Sequence, residues 1–97
     1  MESITGLKGK SNAEIAEKLN QLLANYEVYY QNLRGFHWNI KGNDFFVLHE
    51  KFEELYNEAQ LAIDEVAERI LTLGEQPLHT YSDFVETSTI KEYKNLS

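Results

Sequence analysis

Five side chains in this sequence have the types and spacing of a metal site: His37, His49, Glu53, Asp64 and Glu68. Glu53 follows His49 by four positions, and Glu68 follows Asp64 by four. On a helix, residues four apart share a face with Cβ atoms about 6 Å apart, so both members of a pair reach one ion. Imidazole with carboxylate suits iron, zinc or manganese, and a chain without cysteine has no thiolate to select softer metals. Taken singly, each residue has a plainer reading. A histidine on an apolar stripe is more often a packed core residue, and an acid pair at helical spacing is more often a solvated surface. Their joint placement on two elements gives the metal reading its weight.

Those elements follow from periodicity. Ser11 and Glu14 have the spacing of a capping box. Apolar residues then recur at Ile15, Leu19, Leu22, Tyr26, Tyr29, Leu33 and Phe36, which predicts a first helix from about Asn12 to Trp38. Lys41-Gly42-Asn43 reads as a tight connection. A second helix is expected from about Asp44 to Leu73, with its stripe at Phe45, Leu48, Phe52, Leu55, Tyr56, Ala59, Ile63, Val66, Ile70 and Leu73. Gly74 reads as its stop, with Pro77 beyond. A short third helix over Ser82–Thr87 is expected, capped by Ser82 and burying Phe84 and Val85. Residues 1–10 read as a flexible tail, leaving 11–97 as one all-α domain: a long helical hairpin plus a short connecting helix.

Helix length constrains how the five residues combine. Asp64 lies fifteen positions beyond His49, about 22 Å along the axis, so the two pairs cannot hold one ion within a single chain. Two copies of the second helix, antiparallel and crossing about Glu58, bring His49 and Glu53 of one chain level with Asp64 and Glu68 of the other. Such an isologous contact makes two equal sites per dimer. Asn57, Ala59, Gln60 and Ala62 lie near that crossing and are small enough to permit close approach. A lone hairpin also leaves apolar surface wet, which pairing into a four-helix arrangement relieves.

Composition removes several function classes. The formal net charge is −7, from 9 basic and 16 acidic residues, so attraction to nucleic acid is weak and attraction to cations is favoured. Met1–Lys10 has no apolar segment of the secretory kind, and no apolar run approaches the ~20 residues that span a bilayer. Absence of cysteine excludes disulfides and fits a cytoplasmic protein.

The segments Phe36-His37-Trp38-Asn39-Ile40-Lys41-Gly42 and Phe45-Phe46-Val47-Leu48-His49-Glu50-Lys51-Phe52-Glu53-Glu54-Leu55-Tyr56 closely resemble the signature of the Dps family (DNA-binding proteins from starved cells). Ile63-Asp64-Glu65-Val66-Ala67-Glu68-Arg69-Ile70, then Leu73-Gly74, resembles the end of that family's second helix. Pro77-Leu78-His79-Thr80 and Ser82-Asp83-Phe84 resemble the approach to its short interface helix. The resemblance covers nearly the whole chain after the tail. It implies the first half of a ferritin-like four-helix subunit and a ferroxidase centre at a two-fold interface. His37, His49 and Glu53 would come from one subunit, with Asp64 and Glu68 from its partner. Ferrous iron would be oxidised there, with hydrogen peroxide as the preferred oxidant, and stored as ferric mineral in a dodecameric cage. Neutral imidazoles would bind the iron, so acidification would weaken binding. Trp38 resembles the tryptophan beside the family's centre and is a candidate redox neighbour. Simple packing at the helix end is the competing reading.

Two departures from the pattern stand out. Residue 53 is glutamate where the family commonly has aspartate, which lengthens its reach by one methylene. The sequence ends at Ser97, where the family's third and fourth helices are expected, and the cage, its pores and mineral storage depend on those helices. All five candidate ligands lie in the first two helices, so the chain reads either as a partial sequence or as a hairpin completed by a partner. Two other functions remain open: a non-catalytic self-associating hairpin, and a DNA-protecting structural protein. For DNA the tail offers only Lys8 and Lys10 near Glu2, so binding is expected to be weak or absent. His79 reads as a loop residue, neither ligand nor base.

Overall fold

The computed structural model describes residues 11–42 and 45–94, an all-helical structure in the order α1 (Asn12–Asn39), α2 (Phe45–Thr72) and α3 (Tyr81–Thr87). The expected tail (1–10), Asn43 of the turn and the expected start of the second helix at Asp44 lie outside the described residues. Helix α1 begins as its sequence predicts. The Ser11 side chain accepts from the Glu14 N–H at 3.1 Å, and Glu14 Oε1 accepts from the Ser11 N–H at 3.1 Å. These reciprocal bonds satisfy donors that a helix start leaves without partners.

Both glycines at the ends of α2 have positive φ, +96° at Gly42 and +78° at Gly74, a region costly for residues with a Cβ. Gly74 ends α2 in a Schellman motif: the Glu75 N–H donates to Ile70 O at 3.2 Å and the Gly74 N–H to Leu71 O at 2.9 Å. Helix α3 starts one residue earlier than expected. Its cap is Thr80, whose hydroxyl accepts from the Asp83 N–H at 3.2 Å, and Ser82 lies inside the helix.

α1 and α2 pack as an antiparallel hairpin, and α3 folds back on α1. The core joins Ala16, Leu23, Ala24, Ile70 and Phe84, flanked by Leu19, Ile63, Val66, Ala67, Leu73 and Leu78. On α1 the buried face runs through Ala16, Leu23, Ala24, Val28, Leu33 and His37. It is therefore rotated from the expected stripe, because the alanines let α2 approach closely. Leu22 and Tyr29 lie outside it, lining an apolar strip with Tyr26 and Ile90. On α2 most of the expected stripe faces inward, but Leu48 is exposed. Ala59 is buried inside the hairpin, so it is not available at an outer crossing. In α3 Phe84 is buried, but Val85 is 49% exposed, contrary to expectation, because the seven-residue helix has one inward face.

Asparagines on α1 hold the chain that follows α2. The Asn12 amide donates to Leu73 O at 3.3 Å. Asn20 donates to Gln76 O at 3.2 Å and accepts from the Leu78 N–H at 2.9 Å. Asn25 Oδ1 accepts from the Thr89 N–H at 2.7 Å and the Ser88 hydroxyl at 2.8 Å. Asn32 donates to Lys91 O at 2.9 Å and accepts from the Tyr93 N–H at 3.0 Å. An amide presents the donor and acceptor of a peptide group, so Asn20 and Asn32, which use both, substitute for a strand partner along irregular chain.

Leu23→Ala is expected to cost about 2–5 kcal/mol in chemical denaturation, whereas Val85→Ala changes stability by less than about 0.5 kcal/mol. Asn25→Ala leaves the Thr89 N–H without its acceptor. Amide exchange at Thr89 should then speed up at least about tenfold while helix content stays unchanged.

Candidate metal centre

The closed end of the hairpin brings His37 and His49 together. His37 lies in the last turn of α1 and His49 near the start of α2. Their rings stack, with centroids 3.6 Å apart and planes 23° apart. Each Nδ1 faces the other residue's backbone carbonyl: His37 Nδ1 to His49 O at 2.8 Å, and His49 Nδ1 to His37 O at 3.1 Å. A carbonyl only accepts, so both Nδ1 atoms carry the proton and donate it. That selects one tautomer for each neutral ring and leaves both Nε2 lone pairs free. The bonds also serve the backbone, because the His37 carbonyl is one of the last four in α1 and lacks a full intrahelical partner.

Glu53, one turn beyond His49, completes a local cluster. His37, His49 and Glu53 each offer a ligand atom, and these atoms lie within 4.8 Å of one another. Among the described residues this is the one such group of three or more histidines, cysteines or acids. His37 is 7% exposed, His49 is half-buried and Glu53 is exposed, so the cluster opens outward on the Glu53 side. The extra methylene of glutamate therefore does not keep residue 53 out of the group.

Around the histidines lies an aromatic wall. Tyr56 meets His37 edge-on at 5.2 Å and Tyr30 edge-on at 6.0 Å, and Phe45 stacks on His49 at 4.9 Å. Such surroundings restrict water and fix the rings. Trp38 is not packed away at the helix end. It is 56% exposed, with the Arg34 guanidinium 4.8 Å over its ring.

Asp64 and Glu68 are exposed residues farther along α2 and do not join the cluster within one chain. Sequence reasoning missed their neighbour Glu27. That residue sits half-buried on α1, and its carboxyl is raised above 4.5, first by loss of hydration and then by repulsion from Asp64. Its signal in the sequence was weak, because one glutamate among helical polar residues looks solvated until the register of α1 on α2 is known. His79 is exposed and its ring lies 3.2 Å from Pro77 O, as expected of a loop residue.

Comparison with known proteins adds an independent line. A family model described as a ferritin-like domain matches residues 16–97. The chain is 58% identical over 87 residues to an uncharacterized protein of Haemophilus influenzae, covering 90% of this chain and 54% of that one. It is 50% identical over 93 residues to the DNA protection during starvation protein of Porphyromonas gingivalis, covering 96% of this chain and 58% of the relative. The crystal structure of a Dps protein from Vibrio cholerae superposes with a TM-score of 0.87 at 45% identity. That match covers 99% of this chain and 63% of the Vibrio chain, which is described as a ferritin-like diiron-carboxylate protein. The chain spans about half the length of the curated relatives it matches.

Because its ionised form is disfavoured in the fold, Glu27 stabilises the chain most below 4.5 and loses that contribution as pH rises through its raised value. Glu27→Gln should therefore raise the stability of the dilute, unassociated chain near neutral pH. It should also flatten the acid-side pH dependence, read from urea unfolding at a series of pH values.

Proposed function

The chain belongs to the ferritin-like family and matches Dps-type proteins over rather more than half of their length, and from that premise we propose that it oxidises ferrous iron at a di-metal site shared between two subunits. The observation that carries this reading is the reciprocal histidine clasp with Glu53 beside it. Two Nε2 lone pairs and one carboxylate form a partial coordination shell for a divalent first-row metal, open on one side. Asp64 and Glu68 of the partner subunit supply the missing anionic ligands from the open side. His37, His49, Glu53, Asp64 and Glu68 are thus the proposed iron ligands.

Iron is substrate here. The imidazoles bind without adding charge, and the carboxylates offset the extra positive charge gained as Fe(II) becomes Fe(III). Hydrogen peroxide takes up two electrons, which a pair of ferrous ions supplies one each. Peroxide is thereby removed together with the metal that would convert it to hydroxyl radical. Trp38, exposed beside His37, is the proposed redox neighbour that quenches stray oxidising equivalents. Storage of the ferric product, assembly into a larger shell and protection against peroxide are proposed of the whole protein. A cytoplasmic location accords with α-helices that, among the described residues, are not long and apolar enough to cross a membrane.

Complementation gives the direct test. Asp64→Ala/Glu68→Ala and His37→Ala/His49→Ala chains should each lose saturable ferrous binding while keeping their helices. Mixing and re-annealing them in equal amounts makes half the dimers mixed, and each mixed dimer has one intact site. About a quarter of the wild-type sites should return, measured by ferrous titration and peroxide-driven oxidation. Unimpaired binding by either variant, or no recovery in verified mixed dimers, would refute a shared centre.

A further inference from the structure

Arg34 is an unusual cation in this chain. Its guanidinium lies over the rings of Trp38, Tyr30 and Tyr56 at 4.8, 5.5 and 5.7 Å. One terminal nitrogen donates to the Tyr30 hydroxyl at 3.1 Å. Among the described residues its Nε is the one buried side-chain nitrogen or oxygen without a hydrogen-bond partner. The one ion pair among those residues, Lys51–Glu54, does not involve it. That nitrogen is covered by its own chain, so the terminal N–H groups are the donors left for a second chain, and no carboxylate among the described residues balances the charge.

The matching deficiency lies two helical turns away on the same groove. Glu27 and Arg34 both line a cavity of about 330 Å³ between α1, α3 and the segment that follows. Glu27 is a half-buried carboxyl with Asp64 as an acidic neighbour and, among the described residues, no cation paired to it. The seven positions between Glu27 and Arg34 span about 10 Å of helix, so each chain carries an acid at one end of the groove and a base at the other.

We propose that Arg34 of each chain pairs with Glu27 of the partner subunit, forming two reciprocal ion pairs across the two-fold axis beside the shared iron ligands. The inference rests on the two-fold reading above, and register supports it. That reading makes Glu53 face Asp64 of the partner subunit, which centres the crossing on α2 at Glu58 and Ala59. The midpoint between Glu27 and Arg34 on α1 falls at Tyr30 and Gln31, and Tyr30 packs against Tyr56. The two centres lie about three residues apart along the axis, an offset that the two-fold doubles to about 9 Å and that the long arginine and glutamate side chains must span. One two-fold operation that completes the metal site also carries Arg34 toward the opposite Glu27. An acid and a base placed either side of such an axis are self-complementary, as an isologous contact requires. Arginine suits the position because its planar fork stacks on the rings while the remaining N–H groups reach a carboxylate. The pair would draw Glu27 away from Asp64 and leave Asp64 free to face the metal.

The test is self-association measured by sedimentation equilibrium on the wild-type chain, Arg34→Glu, Glu27→Arg and the double reversal. Each single reversal should weaken the dimer about tenfold or more, and the double should recover to within about threefold of wild type. A neutral cycle of Glu27→Gln, Arg34→Gln and both tests the pair where a reversal fails to fold: the second change should add little to the first. Additive losses in either cycle overturn the ion pair. Ferrous titration of the wild-type chain in the same samples separates the two ideas. Retained binding with additive losses removes the pair alone, whereas a wild-type chain that neither dimerises nor binds removes the pair and the shared site together.

Discussion

Two hydrogen bonds at the closed end of the hairpin hold the proposed chemistry in place. Because each histidine's Nδ1 is committed to the other's carbonyl, ring position, tautomer and helix register are fixed together. A shift of α2 along α1 by one residue would break both bonds and separate the rings. The remaining structure maintains that register: the buried contacts of Leu23 and Ile70, the Schellman turn at Gly74, and the asparagine clamps that return the chain along α1. The distant end of the hairpin thus bears on the ligands through rigid helices rather than through contact.

Much of this was legible in the sequence, for identifiable reasons. Helix lengths followed from apolar period, and both ends with local signals, the Ser11–Glu14 box and Gly74, formed as their chemistry dictates. His37, His49 and Glu53 could be grouped because they flank one turn. Features that depend on the rotation of one helix against another were not legible. Ala16 and Ala24 displaced the buried face of α1 away from Leu22 and Tyr29, since a small residue permits contact that a hydropathy stripe does not weight. Thr80 and Ser82 are equivalent caps on paper, and the extended backbone at Thr80, with its hydroxyl on the Asp83 N–H, makes Thr80 the cap. The asparagines carried a signal that went unused: five in one helix, Asn12, Asn20, Asn25, Asn32 and Asn39, is a high density for a residue that helices disfavour. Four of them offset that disadvantage through bonds to the returning chain.

On the surface of α2, charge and apolar area lie side by side. Glu53, Asp64 and Glu68 lie on its exposed side, and Leu61, 70% exposed, lies between them. Acids close together on one helix repel, and an apolar residue among them loses contact with water only if something covers it. An interface that buries Leu61 beside unneutralised carboxylates would be expensive, because each charge would be desolvated without compensation. Metal ions in the proposed shared site would change that balance: they would neutralise the acids from within the contact while the apolar residue is covered.

The same reasoning assigns different tasks to the two kinds of charge in the contact. A carboxylate facing a metal site must remain available to the ion, so it cannot also be the permanent partner of a cation. Glu27 has no place in the proposed ligand set and can take that role, and Arg34 stands on the opposite side of the expected axis with no acid paired to it among the described residues. If pairing is divided this way, Arg34 and Glu27 offset part of the cost of bringing the α2 acids together before iron arrives. Asp64 and Glu68 are then left without a competing cation. In the proposed site that separation would let iron enter and leave, whereas an interface that depended on iron alone would come apart when the product left.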